Sequence, residues 1–185
     1  DVASVASVLP TKALSPKTVL DYCAGRGTKT RQLARIHPDA TVYATDTHPG
    51  RREELAEATA KLGNVKVVEP NDAGTRQYDL VVLDVPCTNT GVLARRPEAR
   101  YRYSQLTLGQ LVGIQRTIVD EARQWVRPGG HLLYCTCSTE KAENQNQTAK
   151  LIRATGGELV ADGAYLPGGT GDSYTDGSYH ALVRL

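Results

Sequence analysis

Short apolar runs alternate along this chain with longer stretches whose apolar residues recur every three or four positions, and the two periods demand different elements. Thr18 to Ala24 is a brief apolar run that ends in glycines, as a buried parallel strand does. Similar runs at Ala40 to Thr45, Val65 to Val68, Tyr78 to Val85 and His131 to Thr136 predict four more strands, and Glu158 to Val160 and Tyr179 to Leu185 the last two. Helical spacing follows most of them. Thr28 is placed to cap a helix with Leu33, Ala34 and Ile36 on one face, stopped by His37-Pro38. Pro49 to Leu62, Leu106 to Val126 and Glu140 to Ala154 read as three further helices. Between Cys87 and Tyr103 the pattern breaks into a polar, arginine-rich loop.

Strands alternating with helices at this spacing predict an α/β protein built on a doubly wound, mostly parallel sheet. The glycine-rich stretch before Ser178 suits a terminal hairpin, with the final strand antiparallel at the edge. No internal repeat or linker divides the chain, so one domain is expected over 1–185. Many methyltransferases have this shape.

Composition narrows the class without deciding it. The 185 residues are 40% hydrophobic and 23% charged, ordinary for a soluble domain with one core. No apolar run reaches the roughly 20 residues that cross a bilayer, and the first ten residues lack a basic segment followed by an apolar one. A cytoplasmic monomer with no membrane partner is the expectation. A net charge of +2 is too small to demand an anionic partner, although local basic clusters can still bind one. The chain contains no Met and no Phe, which suits an excised, processed or engineered chain.

Asp21-Tyr22-Cys23-Ala24-Gly25-Arg26-Gly27-Thr28-Lys29-Thr30 reads as strand end, glycine turn and helix start, the arrangement that cradles nucleotide-like cofactors. Asp46 follows Gly25 by 21 residues, near the spacing at which a carboxylate meets a ribose. Thr30 stands where a dinucleotide fingerprint has its third glycine, which weakens a pyrophosphate reading and favours S-adenosylmethionine, a cofactor without phosphate. Asp21 would organise the turn or meet an ammonium group, and Asp72, after the third strand, would accept from an adenine amino group. Each carboxylate alone could equally cap a loop; three of them after three successive strands point to a ligand.

The four cysteines, Cys23, Cys87, Cys135 and Cys137, all fall at or just past predicted strand ends, where open parallel sheets gather their ligands. That placement suits intracellular thiols better than a disulfide framework, although a Cys87–Cys137 disulfide is an alternative. Cys87 and Cys137 are expected to converge despite lying fifty residues apart, whereas Cys23 and Cys135 suit packing in buried strands. Zinc-type spacing and neighbouring histidines are absent, so no metal is expected. A nucleophilic thiol needs surroundings that favour the thiolate, and the amino end of the helix expected from Glu140 would supply that field to Cys137.

These motifs resemble the Sun/Nop family of RNA cytosine-5 methyltransferases, over nearly the whole chain and in its bacterial ribosomal RNA type above all. Asp21 to Thr30 is similar to the family's Asp-x-Cys-Ala-Ala-Pro-Gly-Gly-Lys-Thr, with Arg26 in place of Pro and Thr28 in place of the second Gly. Asp84-Val85-Pro86-Cys87-Thr88-Asn89-Thr90-Gly91 resembles Asp-Ala-Pro-Cys-Ser-Gly-Thr-Gly, and Arg96-Pro97 continues its Arg-x-Pro. Gln115, Thr136-Cys137-Ser138, Glu143-Asn144 and Asp176-Gly177 also fit.

The resemblance implies a Rossmann-like class I S-adenosylmethionine-dependent methyltransferase fold, with seven strands and an antiparallel terminal hairpin. It implies methyl transfer to C5 of a cytosine in RNA, ribosomal RNA foremost and transfer RNA as the alternative. Cys137 would be the nucleophile, Cys87 the group assisting release, and Asp84 the contact to the cytosine ring. Asp21, Cys23, Ala24, Gly25, Arg26, Gly27, Thr28, Lys29, Asp46, Asp72 and Asp84 would line the S-adenosylmethionine site. Arg95, Arg96, Arg100 and Arg102, interleaved with Tyr101 and Tyr103, would hold the RNA by phosphate contacts and stacking. Family members often carry a separate N-terminal RNA-binding domain, expected here to lie outside the chain. A small-molecule methyltransferase and a non-catalytic RNA-binding module are the competing classes.

Overall fold

A computed structural model describes residues 2–185; Asp1, included in the expected domain, lies outside the described residues. Helix α1 (Val2–Ala6) and a 3-10 turn (Leu9–Ala13) lead into β1 (Thr18–Asp21), then α2 (Thr28–Ile36), β2 (Thr41–Ala44), α3 (Pro49–Thr59) and β3 (Val65–Val67). The short α4 (Pro70–Ala73) precedes β4 (Tyr78–Asp84). A second 3-10 turn (Thr90–Val92), α5 (Ala99–Arg102) and the long α6 (Gln105–Ala122) connect it to β5 (Val126–Thr136). Helix α7 (Gln145–Thr155), β6 (Glu158–Tyr165) and β7 (Ser178–Arg184) complete the fold.

The seven strands form one sheet in the order β3-β2-β1-β4-β5-β7-β6, parallel from β3 to β5 and antiparallel where β7 meets β5 and β6. The sheet and its terminal hairpin are as expected, with one difference: β7 lies inside the sheet and β6 forms the edge. Burial explains the order. Residues 178–183 are buried along their whole length, whereas β6 is mostly exposed, so the apolar strand takes the covered position.

Alternation along β4 divides the core. Leu80 and Val82 face one side with Val19, Leu33, Ala34 and Leu133, while Val81 and Leu83 face the other with Val119, Ala122, Leu132 and Leu151. Helix α2 therefore covers one face, and α6 and α7 the other. Residues 127–130, expected as a turn before the fifth strand, instead continue it through an irregularity between Tyr78 and Leu80 of β4. Among the described residues no helix is long and apolar enough to cross a membrane.

Two helix starts differ from the sequence reading, and both matter for the site. Gly27, not Thr28, occupies the N-cap of α2, in the left-handed region at φ +82 with no side-chain cap. A Cβ there would lie 2.8 Å from Leu55 Cδ1, so the turn after β1 requires glycine for its backbone and for the approach of α3. Helix α7 starts at Gln145 rather than near Glu140, because Glu143 and Asn144 spend their side chains on tertiary hydrogen bonds in the preceding turn.

Candidate active site

The carboxyl ends of β1, β4 and β5 deliver Asp21, Asp84 and the turn containing Cys137 to one end of the sheet. Asp21 is fully buried; its Oδ2 accepts from Thr30 Oγ1 at 2.7 Å, while its Oδ1 has no hydrogen-bond partner among the described residues. Burial, reinforced by the nearby charge of Asp84, pushes its carboxyl up to about 7. Asp46 closes the turn from β2, accepting from the Gly25 amide at 3.0 Å and the His48 amide at 2.9 Å. Gly25 adopts φ +55, with open space where a side chain would project.

Of the residues that depart from the motif, Arg26 has a local partner and Thr28 faces solvent. Arg26 Nε reaches Glu54 of α3 at 2.6 Å, tying the turn to that helix, and Thr28 is exposed as the first residue of α2. Ala24 is buried with Ala44 and Leu55. Cys23 lies beside Asp21, Asp84 and Asp46, and burial pushes its thiol far above the usual range. Its ionisation is thereby suppressed. Asp72 stands apart from this cluster: α4 leaves it exposed, and its carboxylate has no hydrogen-bond partner among the described residues.

One turn into α2, Lys29 places its Nζ 2.8 Å from Asp84 Oδ2, and that ion pair keeps the ammonium charged despite burial. Beside it Cys87 and Cys137 meet at an Sγ–Sγ distance of 3.1 Å, as two free thiols rather than a disulfide. The thiol pair is asymmetric. The hydrogen bond from Cys87 lowers Cys137 below the ordinary thiol range, helped by Lys29 and Arg96 and opposed by burial and Asp84. The same bond, with burial, pushes Cys87 well above that range. Its sulfur neighbour and two cations draw Cys137 down, and the helix expected from Glu140 begins only at Gln145.

Three further features bring the two loops together, and sequence motifs named them without revealing their contacts. Glu143, fully buried, accepts from the Thr88 amide at 3.0 Å, from Thr88 Oγ1 at 2.5 Å and from Gln115 Nε2 at 2.9 Å. Gly91 donates its amide to Cys137 O at 3.0 Å and accepts from the Gly177 amide at 2.7 Å. A Cβ on Gly91 would lie 2.5 Å from Gly177 O and 2.8 Å from Cys137 O, so only glycine lets these backbones meet. Ser138 joins Thr90 and Thr88 through hydroxyl contacts of 3.1 and 3.2 Å.

Beyond the thiols the arginine segment is exposed and contains α5 rather than being a plain loop. Arg95 pairs with Asp176 and Arg102 with Glu98, while Arg96 and Arg100 form no salt bridge among the described residues. Tyr101 is 88% exposed, more than a ring needing only internal packing would be.

Comparison with known proteins places this constellation. The sequence pattern of the family described as 16S rRNA methyltransferase RsmB/F matches residues 11–164. The chain belongs to the RsmB/F family. A ribosomal RNA small subunit methyltransferase B from Enterobacter sp. (strain 638) is 32% identical over 144 residues, covering 74% of this chain and 34% of that protein. The chain therefore spans about a third of the length of the curated relatives it matches.

Solved structures share the fold. The crystal structure of PH0851 superposes with a TM-score of 0.83 at 28% identity, covering 98% of this chain and 45% of that one. That of NSun6 from Pyrococcus horikoshii with SFG gives 0.81 at 24%, covering 99% and 51%. The fold is that of the class I S-adenosylmethionine-dependent methyltransferases, and the resemblance to the Sun/Nop family is borne out.

Two outcomes follow from the buried carboxyl groups. Replacing Glu143 with Ala strands the Thr88 amide and one N–H of Gln115, whose other N–H keeps Pro86 O, and should lower stability by about 2 kcal/mol in urea denaturation with an unchanged m value. Asp21 binds its proton more tightly folded than unfolded, so between its ordinary 3.8 and about 7 the native state holds the extra proton. Stability should fall as pH rises through that window and level off above it. The Asp21→Asn variant should lose this slope in denaturation curves recorded across the same range.

Proposed function

We propose that residues 1–185 form the catalytic unit of an enzyme that transfers a methyl group from S-adenosylmethionine to C5 of a cytosine in 16S ribosomal RNA, through a covalent adduct between Cys137 and C6. The observation that carries this reading is the 3.1 Å approach of Cys137 to Cys87 beside the Lys29–Asp84 pair. The substrate class rests on the names of the curated relatives, which are ribosomal RNA small subunit methyltransferases. A separate RNA-binding domain would occupy part of the remaining length of such proteins.

The turn after β1 fits the cofactor. A buried acceptor without a partner among the described residues, Asp21 Oδ1, suits an ammonium group, and the open space at Gly25 lets a ligand approach the backbone. Residues Cys23 to Lys29 would line it, with Asp46 near the ribose, Asp72 near the adenine and Asp84 towards the reacting end. S-adenosylmethionine supplies an electrophilic methyl group when bound there.

C5 of cytosine is a poor nucleophile until a group adds at C6. The Cys137 thiolate forms an S–C6 bond, and the electron pair of the C5=C6 bond becomes available at C5, which would take the methyl group as the donor's S–CH3 bond breaks and leaves a neutral thioether. Asp84 hydrogen-bonds the ring in the adduct, held in place by Lys29. A base then removes the C5 proton, the C5=C6 bond re-forms, and Cys137 leaves as thiolate. Cys87, in contact with the departing sulfur and favouring its protonated form, assists that release. Only a base out of its stack can reach such a site, which suits single-stranded or loop RNA. Arg96 and Arg100, without salt bridges among the described residues, and the exposed Tyr101 form the surface that would receive it.

The roles separate by mutation. Cys137→Ala should abolish transfer of labelled methyl groups to 16S ribosomal RNA, whereas Cys87→Ala should accumulate a protein–RNA adduct that survives denaturing electrophoresis. Wild-type activity in both variants would reject the mechanism, and undiminished transfer to a non-nucleic acceptor after RNase digestion would reject the substrate.

A further inference from the structure

Asn89 is the one described non-glycine residue with positive φ, at +61, between the two cysteine loops. Asparagine tolerates this conformation better than most residues, and its side chain is put to use there. Its Nδ2 donates to Cys87 O at 2.8 Å, which fixes the orientation of the amide. The opposite end, Oδ1, is thereby turned towards Cys137 and lies 3.2 Å from its sulfur.

An amide oxygen accepts hydrogen bonds and cannot donate them. The contact with Cys137 is therefore attractive only while that sulfur carries its proton. Once the proton leaves, the sulfur anion faces the negative end of an amide dipole that its bond to Cys87 O prevents from turning round. The amide thus spans both loops, anchored on the backbone of one cysteine and directed at the thiol of the other.

We propose that Asn89 is a positioning residue that holds Cys137 as an aimed, protonated thiol, so that forming the nucleophile requires this contact to be broken. The inference rests on the reading of Cys137 as the attacking group and adds a restraint to it. Other groups act on the same sulfur from neighbouring elements. Cys87, in the loop after β4, donates to it; Lys29 of α2 and Arg96 of the arginine segment favour its anion; Asp84 at the end of β4 disfavours it. Asn89 and Cys87 touch the sulfur directly, and they pull in opposite directions. A resting thiol of this kind is protected from stray electrophiles until a substrate ring enters and displaces the amide oxygen.

Alkylation of Cys137 by iodoacetamide, followed across pH by peptide mass spectrometry, reads the thiolate directly and needs neither RNA nor methyl transfer. Asn89→Gly keeps a residue at ease with positive φ and removes the oxygen. Its profile should shift to lower pH, with alkylation at neutral pH roughly three- to tenfold faster, the equivalent of one lost hydrogen bond to the protonated form. Asn89→Asp places a carboxylate against the sulfur and should shift the profile the other way. A Gly variant whose profile superimposes on the wild type, or moves to higher pH, overturns the proposal. Loss of the nucleophile assignment would instead appear as methyl transfer surviving in Cys137→Ala, so the two failures are distinguishable.

Discussion

Glu143 is fully buried, forms no salt bridge among the described residues, and has its carboxyl oxygens engaged by neutral donors from two other elements. Burying such a group is costly unless its oxygens are satisfied, and here the satisfaction comes only if the loop after β4 and α6 both close upon it. Thr88 comes from that loop and Gln115 from α6. Tyr134 on β5 adds a hydrogen bond of 2.6 Å to Glu143 O. The position of Cys87, one residue before Thr88, is therefore coupled to the position of Cys137, six residues before Glu143. Two sulfur atoms can be held 3.1 Å apart without a covalent bond because the buried Glu143 carboxylate ties the Thr88 loop and α6 to the turn that follows Cys137.

The sheet contributes the other half of the arrangement. Parallel strands β1, β4 and β5 end together, so Asp21, Asp84 and the Cys137 turn arrive at one edge whatever the sequence between them. On this frame the Lys29–Asp84 pair lies between the turn that fits a cofactor and the thiols that face the pyrimidine under the proposed mechanism. Charge and burial then divide the four thiols. Cys23 and Cys135 are pushed upward by burial, the latter to about 12, while Cys137 alone is drawn down.

Much of this was legible because strand ends carry strong signals. The apolar run from Tyr78 to Leu83 and the Asp-x-Pro-Cys that follows leave few alternatives for strand and site. The β5–β7–β6 order was less legible, since a short apolar run does not say which neighbours it will find; burial of all but the end of β7 decided it. The start of α7 was misplaced because Glu and Asn both look like helix-opening residues, and only the folded chain shows their side chains engaged elsewhere. Asn89 and Gly91 were visible as letters in a motif. The positive φ of Asn89 and the approach of Gly177 to Gly91 are properties of a tertiary contact that local sequence does not encode.

A cytosine bearing fluorine at C5 admits addition at C6 and methylation but cannot lose a proton from C5, so an enzyme that works by covalent addition becomes trapped on it. The most direct measurement is to incubate the protein and S-adenosylmethionine with 16S ribosomal RNA transcribed with 5-fluorocytidine, digest the product, and identify the nucleotide-bearing peptide by mass spectrometry. A single methylated fluorocytidine attached to Cys137 is the expected product. Attachment to Cys87, or a methylated product with no protein attached, would contradict attack by Cys137.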